Sequence, residues 1–399
     1  MTAERGNANE YQGVVEKAGW KQMKLRDVCE LINGRAYSKP ELLAQGKYPV
    51  LRVGNFFTNN HWYYSDMELG ADKYCESGDL LYAWSASFGP RIWAGEKVIF
   101  HYHIWKVLPD STLIDKRFLF MWFLWDTEQI KEDQGAGTTM IHVAKGSMED
   151  RDILVPPLPE QQRIVALLDE AFDGIATTKA NAEKNLQNAR ALFESHLQSI
   201  FTQCDEGWVE KSLSEICAIT STLVDPRKAE YLDLTHVGAG NIESQTGAFV
   251  ELKTAREEGL ISGKFLFDDS MVLYSKIRPY LMKVARPDFN GLCSADMYPL
   301  SPLPNVITRD YLFHLLLSKS FTDYAIQGSA RAGMPKVNRE HLFAFRVWLP
   351  NVKKQEELAT KLDDLHAETQ RLESLYQQKL AALDALKKSL LHQAFSGAL

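Results

Sequence analysis

The chain has 399 residues, 45% of them hydrophobic, and a formal net charge of −7. That is longer than one hydrophobic core usually grows, so two domains with connecting structure are expected, and with this acidic balance any nucleic-acid contact has to rest on local basic patches. Cys29, Cys75, Cys204, Cys217 and Cys293 are scattered with no C-x-x-C pair, which argues against a disulfide framework or a cysteine zinc site and suits a reducing cytoplasm. The first twenty residues carry acids and no apolar stretch of signal-peptide length, and the run Phe118 to Trp125 is far too short to cross a bilayer, so a soluble cytoplasmic chain with no membrane partner is expected.

After an N-terminal extension (residues 1 to 19) the chain repeats itself, which bears on the whole fold. AGWKQMKLRDVCEL (18 to 31) matches EGWVEKSLSEICAI (206 to 219) through Gly19/Gly207, Trp20/Trp208, Leu25/Leu213 and Cys29/Cys217. GDLLYAWSAS (78 to 87) parallels DSMVLYSKIR (269 to 278), each predicting a buried strand that runs into a polar loop. RFLFMWFL (117 to 124) parallels DYLFHLLL (310 to 317), and both continue to a Gln-Gly turn, at Gln134-Gly135 and Gln327-Gly328. Each copy then reaches an apolar strand and a proline stop, DILVPPLP (152 to 159) and AFRVWLPN (344 to 351).

A long helix is predicted after each stop. LPEQQRIVALLDEAF (158 to 172) aligns with NVKKQEELATKLDDL (351 to 365), and FESHLQSIF (193 to 201) with KKSLLHQAF (387 to 395). Apolar or small residues recur in steps of three and four at Ile164, Leu168, Ala171, Ile175, Ala182, Leu186, Ala189, Phe193, Leu197 and Ile200. The second stripe runs through Leu358, Leu362, Leu365, Leu372, Leu375, Leu380, Leu383, Leu386 and Leu390. Such narrow stripes indicate a coiled-coil seam, each helix spanning roughly 65 Å. The expected fold is α+β: two pseudo-symmetric globular domains (20 to 157 and 204 to 350) joined by two long helices (158 to 203, and 351 to 399 with the tail) that form an antiparallel coiled coil. That topology puts a domain at each end of a rod with an approximate two-fold axis.

The order of parts resembles the specificity subunit of type I restriction-modification systems, over nearly the whole chain. The residues that carry the resemblance are the Gly-Trp start, the Gln-Gly turn, the strand and helix of LVPPLPEQQRIVALLD, the repetition of all of it, and the closing LLHQAFSGAL, with PPLPEQQRIV the most specific piece. The second copy departs from it with WLPNVKKQEEL. The resemblance implies two target-recognition domains, each reading half of a split site in double-stranded DNA. It also implies helices that hold two methyltransferase subunits, and two restriction/motor subunits joining them. This chain would then be non-catalytic and hold no cofactor, with S-adenosylmethionine, ATP and magnesium belonging to the partner subunits. The rival readings are a DNA-independent coiled-coil scaffold and a stand-alone nuclease or methyltransferase.

Catalytic motifs are weak. Methylation of a flipped adenine needs a polar acceptor, prolines and an aromatic grip, whereas Pro156-Pro157 lies between Val155 and Leu158. VGAGN (237 to 241) suits a strand-end turn, and Asp233 with Glu251 and Lys253 is too loosely spaced for a specific metal cluster. GLISGKF (259 to 265) is one residue short of a phosphate-binding loop and lacks its Ser or Thr. The histidines show no metal-ligand spacing, so structural or solvated roles and no metal site are expected.

The clearest local basic patch is YSKIRPYLMKVAR (274 to 286), whose Lys276, Arg278, Tyr280, Lys283 and Arg286 are candidate phosphate and groove contacts, against the plainer reading of a solvated strand edge. The first-copy counterpart, YAWSASFGPRIW (82 to 93), keeps Arg91 and offers Ser85 and Ser87 at a loop, with Trp93 expected in the core. NGRAYSK (33 to 39) supplies Asn33, Arg35, Tyr37 and Lys39, where Arg suits guanine and Asn suits adenine. The glycine-rich stretches GAGTTM (135 to 140) and GSARAGM (328 to 334) could approach a DNA backbone closely, with Thr138, Thr139 and Arg331 as candidates.

Overall fold

The computed structural model describes residues 19–57, 60–85, 88–133, 142–202, 205–329 and 334–399. The chain divides into two compact units, one of Met1–Asn181 with Lys379–Leu399 and one of Ala182–Gln378.

In the first unit, Cys29–Asn33, Ile104–Pro109, Leu80–Ala83 and Gly89–Ile92 form a four-stranded antiparallel sheet in that order. A second sheet has the order Tyr63–Ser65, Tyr48–Leu51, Val98–Phe100, Tyr74–Cys75, with its middle pair parallel. Lys21–Lys24 pairs with Asp152–Val155. The second unit repeats the plan: Cys217–Ala218, Met297–Pro302, Val272–Ser275 and Val284–Ala285 make one sheet, a five-stranded sheet again has one parallel pair, Thr235–Val237 with Gly291–Cys293, and Val209–Ser212 pairs with Arg346–Leu349.

The ladders correct the register read from sequence by one residue. Tyr82 lies opposite Trp105 and Tyr274 opposite Tyr298, so Leu80 matches Val272, where the alignment of the two segments had set Leu81 against it. Both stretches are uninterrupted apolar runs buried on both faces, and a one-residue slip leaves such a pattern unchanged. The helices on the sheets also differ. Lys116–Asp133 is unbroken, whereas the second unit splits into Arg309–Leu317 and Lys319–Gln327, because the Ser318 side chain accepts from Phe321 N–H and caps the second piece. The Gln327-Gly328 turn ends that piece, and a Cβ at Gly328 would run into the His341 ring. Gln134-Gly135 lies outside the described residues.

The long helices are Leu158–Thr202 and Val352–Phe395. The first follows Pro156-Pro157 and carries Pro159 in its first turn, where the missing N–H costs nothing. At the start of the second, Asn351 Oδ1 accepts from Lys354 N–H at 2.9 Å. One buried glutamine closes each start. Gln161 Nε2 donates to the carbonyls of Pro156 (2.8 Å) and Leu113 (2.9 Å), and its Oε1 accepts from Asp115 N–H at 2.7 Å. Gln355 repeats all three bonds, to Pro350 and Val306 (both 2.9 Å) and from Thr308 N–H (3.0 Å). The second copy therefore keeps the buried glutamine of PPLPEQQRIV, one position later than the alignment of the two segments places it.

The helices run antiparallel within each unit. In the first, Lys387 covers the Phe172 ring at 4.9 Å and Lys179 pairs with Asp384 at 2.6 Å. In the second, Arg190 pairs with Glu373 at 2.7 Å and Phe193 packs on His366 at 4.9 Å. Every expected seam residue of the first helix is buried or half-buried. Two of the second helix are not: Leu375 and Leu386 are 49% and 47% exposed, while Thr369 and Leu391 turn inward. Each core is thus sealed by the start of one helix and the end of the other. Ile164, Leu168, Leu391, Ala394 and Phe395 join Phe118, Trp122 and Trp125 in the first, and Ala359, Leu362, Leu197 and Ile200 join Tyr311, Leu315 and Phe321 in the second.

Phe395, 4% exposed and edge-on to Phe118 at 5.2 Å, closes the first core from the far end of the chain. Phe395→Ala should cost about 3–5 kcal/mol and raise amide exchange in the first unit only; equal loss in both units would contradict the separate sealing. Gln355→Ala leaves two carbonyls and one N–H without their buried partner, for an expected cost of about 2–4 kcal/mol in urea unfolding. Gln355→Glu should not restore it, since a carboxylate cannot donate to either carbonyl.

Candidate nucleic-acid interface

In the first unit a set of backbone bonds gathers four segments of chain. Gly34 lies so close to the carbonyls of Phe100 and His101 that no Cβ fits there. Arg35 N–H donates to Phe100 O and Tyr102 N–H to Arg35 O, both at 3.0 Å, and Trp84 N–H donates to His103 O at 3.0 Å. Val143 N–H donates to Trp84 O at 3.1 Å, and the Trp84 indole N–H donates to Tyr102 O at 2.8 Å. Asn33, Arg35 and Tyr37 are therefore brought beside Trp84, Ser85, His101, His103 and His142.

These side chains differ in freedom. Arg35 donates to Glu41 at 2.6 Å and sits over the Tyr37 ring at 5.2 Å. The guanidinium, with the Ser38 backbone and side chain, pulls the Glu41 carboxyl down to about 2. Asn33 is exposed and its carbonyl accepts from Lys73 Nζ at 3.0 Å, while Lys39 is exposed at the start of the turn Lys39–Glu41. Burial pushes the Tyr37 phenol up, and its hydroxyl has no partner among the described residues. Ser85 is buried, bridging to His142. Arg91 is on the strand Gly89–Ile92 rather than in the loop cluster; it donates to Phe56 O and lies over the Phe56 ring at 5.9 Å. Trp93 is in the core as expected. Ser87, Thr138, Thr139 and Arg331 lie outside the described residues.

Sequence reasoning missed the histidines here. Burial, then His103 and Arg52, hold the His101 imidazole down to about 4, and burial, then His142 and Arg52, lower His103. The only signal was the tripeptide His101-Tyr102-His103 between two apolar strands. Among the described residues no group of three or more His, Cys, Asp or Glu could hold a metal ion.

The second unit gathers the counterparts of three of these segments. Lys276 N–H donates to Asp296 O at 3.0 Å, Val337 N–H to Lys276 O at 2.8 Å, and Arg278 N–H to Pro335 O at 2.9 Å. Arg278 and Met282 flank the short turn Pro279–Leu281 with left-handed backbones (φ 49° for both), which non-glycine residues adopt rarely and which cluster at functional sites. Arg278 and Tyr280 are exposed. Lys276 is mostly covered, donates to Ala295 O and lies over the Tyr298 ring at 5.2 Å; burial, then Lys336, lower its ammonium pKa. Lys283 donates to Ala239 O at 2.6 Å. Two cations that went unnoticed in sequence, Lys336 and Arg339, sit with them, 3.7 Å from Asp296 and 5.9 Å from the Tyr298 ring.

Arg286 is not part of this cluster. It donates to Asp363 of the second long helix at 2.7 and 3.0 Å and to Asp310 at 2.9 Å, with its guanidinium 4.2 Å from the Phe313 ring. Buried His314 bonds the same Asp363 at 2.8 Å, and with Arg286 it holds that carboxyl far below the usual carboxylate range against the opposing effect of burial. VGAGN forms the turn Ala239–Asn241, with Gly238 N–H donating to Asn241 Oδ1 at 2.9 Å. Asp233 pairs with Arg256 at 2.9 Å, and Lys264 is buried against Ser262. Among the described residues no helix is long and apolar enough to cross a membrane.

The chain is similar over nearly its full length to known proteins. The specificity subunit of the type I restriction enzyme EcoDI from Escherichia coli is 26% identical, across 95% of this chain and 88% of that one. The MjaVIII specificity subunit from Methanocaldococcus jannaschii is 21% identical, across 98% and 95%. Two solved chains share the fold at 16% and 17% identity. One, from work on complex assembly and conformational transition of the type I R-M system, superposes with a TM-score of 0.75 over 96% of this chain and 99% of its own. The other, the HsdS subunit from Thermoanaerobacter tengcongensis, does so at 0.58 over 96% and 98%. The family model for the type I restriction modification DNA specificity domain matches twice, at residues 17–188 and 205–381, and the chain belongs to that family, the specificity subunits of type I restriction-modification systems.

Proposed function

We propose that this chain reads a bipartite site in double-stranded DNA, one half with the loop cluster of each unit, and positions two methyltransferase subunits and two restriction/motor subunits on it. The chain supplies recognition. S-adenosylmethionine, ATP and magnesium serve the partner subunits, and the complex works in the cytoplasm. The target-recognition domains are residues 20–157 and 204–350, and the long helices, Leu158–Thr202 and Val352–Phe395, carry the partners.

The observation that carries this reading is a shared backbone frame with different side chains on it. Both units tie three matching segments together through the same hydrogen bonds, 84–85, 103 and 142–143 in the first and 276–277, 296 and 336–337 in the second, yet the first presents Trp84 and histidines there, and the second Lys276, Asp296 and Lys336. A scaffold with no DNA function would not need a second loop cluster of different chemistry. Phosphate contacts set affinity and register, and base-edge contacts set sequence. The acidic chain therefore depends on exposed cations such as Arg278, Lys39 and Arg339 for the first of these tasks.

Replacing residues 208 to 349 by the corresponding segment of a relative should change one half of the methylated sequence and leave the other intact. Genomic methylation mapping of the reconstituted complex reads this directly, and a change in both halves or in neither would refute it. Arg278→Gln should weaken binding to duplexes of any sequence and make the slope of log affinity against log salt shallower by about 0.9, the value for one lost phosphate contact. An unchanged slope in a folded variant would remove Arg278 from the interface.

A further inference from the structure

The loop frames give a residue-by-residue match between the units. Trp84 N–H bonds His103 O and Val143 N–H bonds Trp84 O, as Lys276 N–H bonds Asp296 O and Val337 N–H bonds Lys276 O. Ser85 bridges His142 as Ile277 bridges Lys336. Trp84 therefore corresponds to Lys276, His103 to Asp296, and His142 to Lys336. In both units the three side chains are neighbours. The Trp84 ring lies 4.9 Å from His103 and 6.1 Å from His142, and stacks on Trp105 at 5.9 Å. Asp296 Oδ1 lies 3.8 Å from Lys276 Nζ and 3.7 Å from Lys336 Nζ, and Lys276 covers Tyr298, the residue that matches Trp105 in the sheet.

We propose that these three positions are the base-reading triad of each unit, with Trp84, His103 and His142 facing base edges of one half-site and Lys276, Asp296 and Lys336 those of the other. The proposal rests on the bipartite-site reading above. Backbone groups at these positions are paired alike in both units, so they cannot distinguish two sequences; only the side chains can. Position 84/276 forms a covered floor, and the other two are more open: His103 is half-buried and His142 exposed, and the side chains of Asp296 and Lys336 are 49% and 42% accessible.

The chemistry favours bases over phosphates. A carboxylate at the centre of the second triad repels a phosphate but accepts from the amino group of cytosine, while its flanking ammonium groups donate to purine acceptors. In the first triad burial keeps His103 lowered, and a neutral imidazole offers one donor and one acceptor nitrogen. Positions that served only to pack the loops would be closed and apolar in both units, not an aromatic cluster in one and an ion triad in the other.

The test uses the full complex with its methyltransferase partners and a library of duplexes randomised over the site, with bound sequences counted. The unaltered complex should select a two-part motif. Asp296→Asn with Lys336→Gln should shift base preference about tenfold at one or two positions of one half only, and His103→Gln with His142→Gln at positions of the other half only. Lys336→Gln alone serves where the double variant loses its fold, since that side chain is solvent-accessible. A two-part motif that no variant alters, or a uniform loss of affinity across all sequences, overturns the triad. Failure of the unaltered complex to select a two-part motif overturns the functional reading first and the triad with it.

Discussion

Two buried glutamines hold the architecture together. Gln161 and Gln355 each tie the start of a long helix to the strand-ending proline behind it and to the loop that leads into the earlier helix of the same unit, Lys116–Asp133 or Arg309–Leu317. A buried amide with its donors and acceptor satisfied is geometrically demanding, and losing it orphans several backbone groups at once. The sheets, and the loops at their ends, are thereby held in one orientation to the helix on which each unit is built. Side chains at the loops can then vary without the frame moving, which is the property a sequence-reading surface needs.

Beneath the shared frame the electrostatics differ. Asp169 and Asp363 occupy matching places on the two long helices, each about three turns after the helix start, and each receives an arginine from the globular part. Arg117 reaches Asp169 at 2.6 Å from the helix Lys116–Asp133, and Arg286 reaches Asp363 at 2.7 Å from the end of a strand. Only the second pair is joined by a buried histidine, His314. With Asp363 depressed, its contribution to stability is present above the ordinary carboxylate pKa and is lost as pH falls through the lowered value. The second unit accordingly carries an acid-sensitive attachment to its helix that involves a residue absent at the first.

The plan of the molecule was legible in sequence, and its contacts were not. Helical period, the prolines and the repeated Gly-Trp are local signals, so both long helices and the duplicated α+β units could be read directly. The strand register slipped by one because Leu80–Ala83 and Val272–Ser275 are buried on both faces and carry no alternation to pin them. Leu375 and Leu386 fit a leucine stripe but fall outside the seam, where Thr369 and Leu391 sit instead. Arg286 counted as part of a basic patch because its partner Asp363 is remote in sequence. His101, His103 and His142 were not singled out from the other histidines, since only the folded loops bring the last of them to the first two.

The central claim is that two loop clusters on one frame each engage one half of a DNA site. Amide exchange on the full complex, with duplexes carrying both half-sites, either one, or neither, tests it most directly. Protection is expected at 33–37, 84–85 and 101–103 with one half-site, at 276–283, 294–296 and 334–337 with the other, and at both sets only with the intact site. Protection of both sets by a single half-site, or of neither by the intact site, would contradict the account.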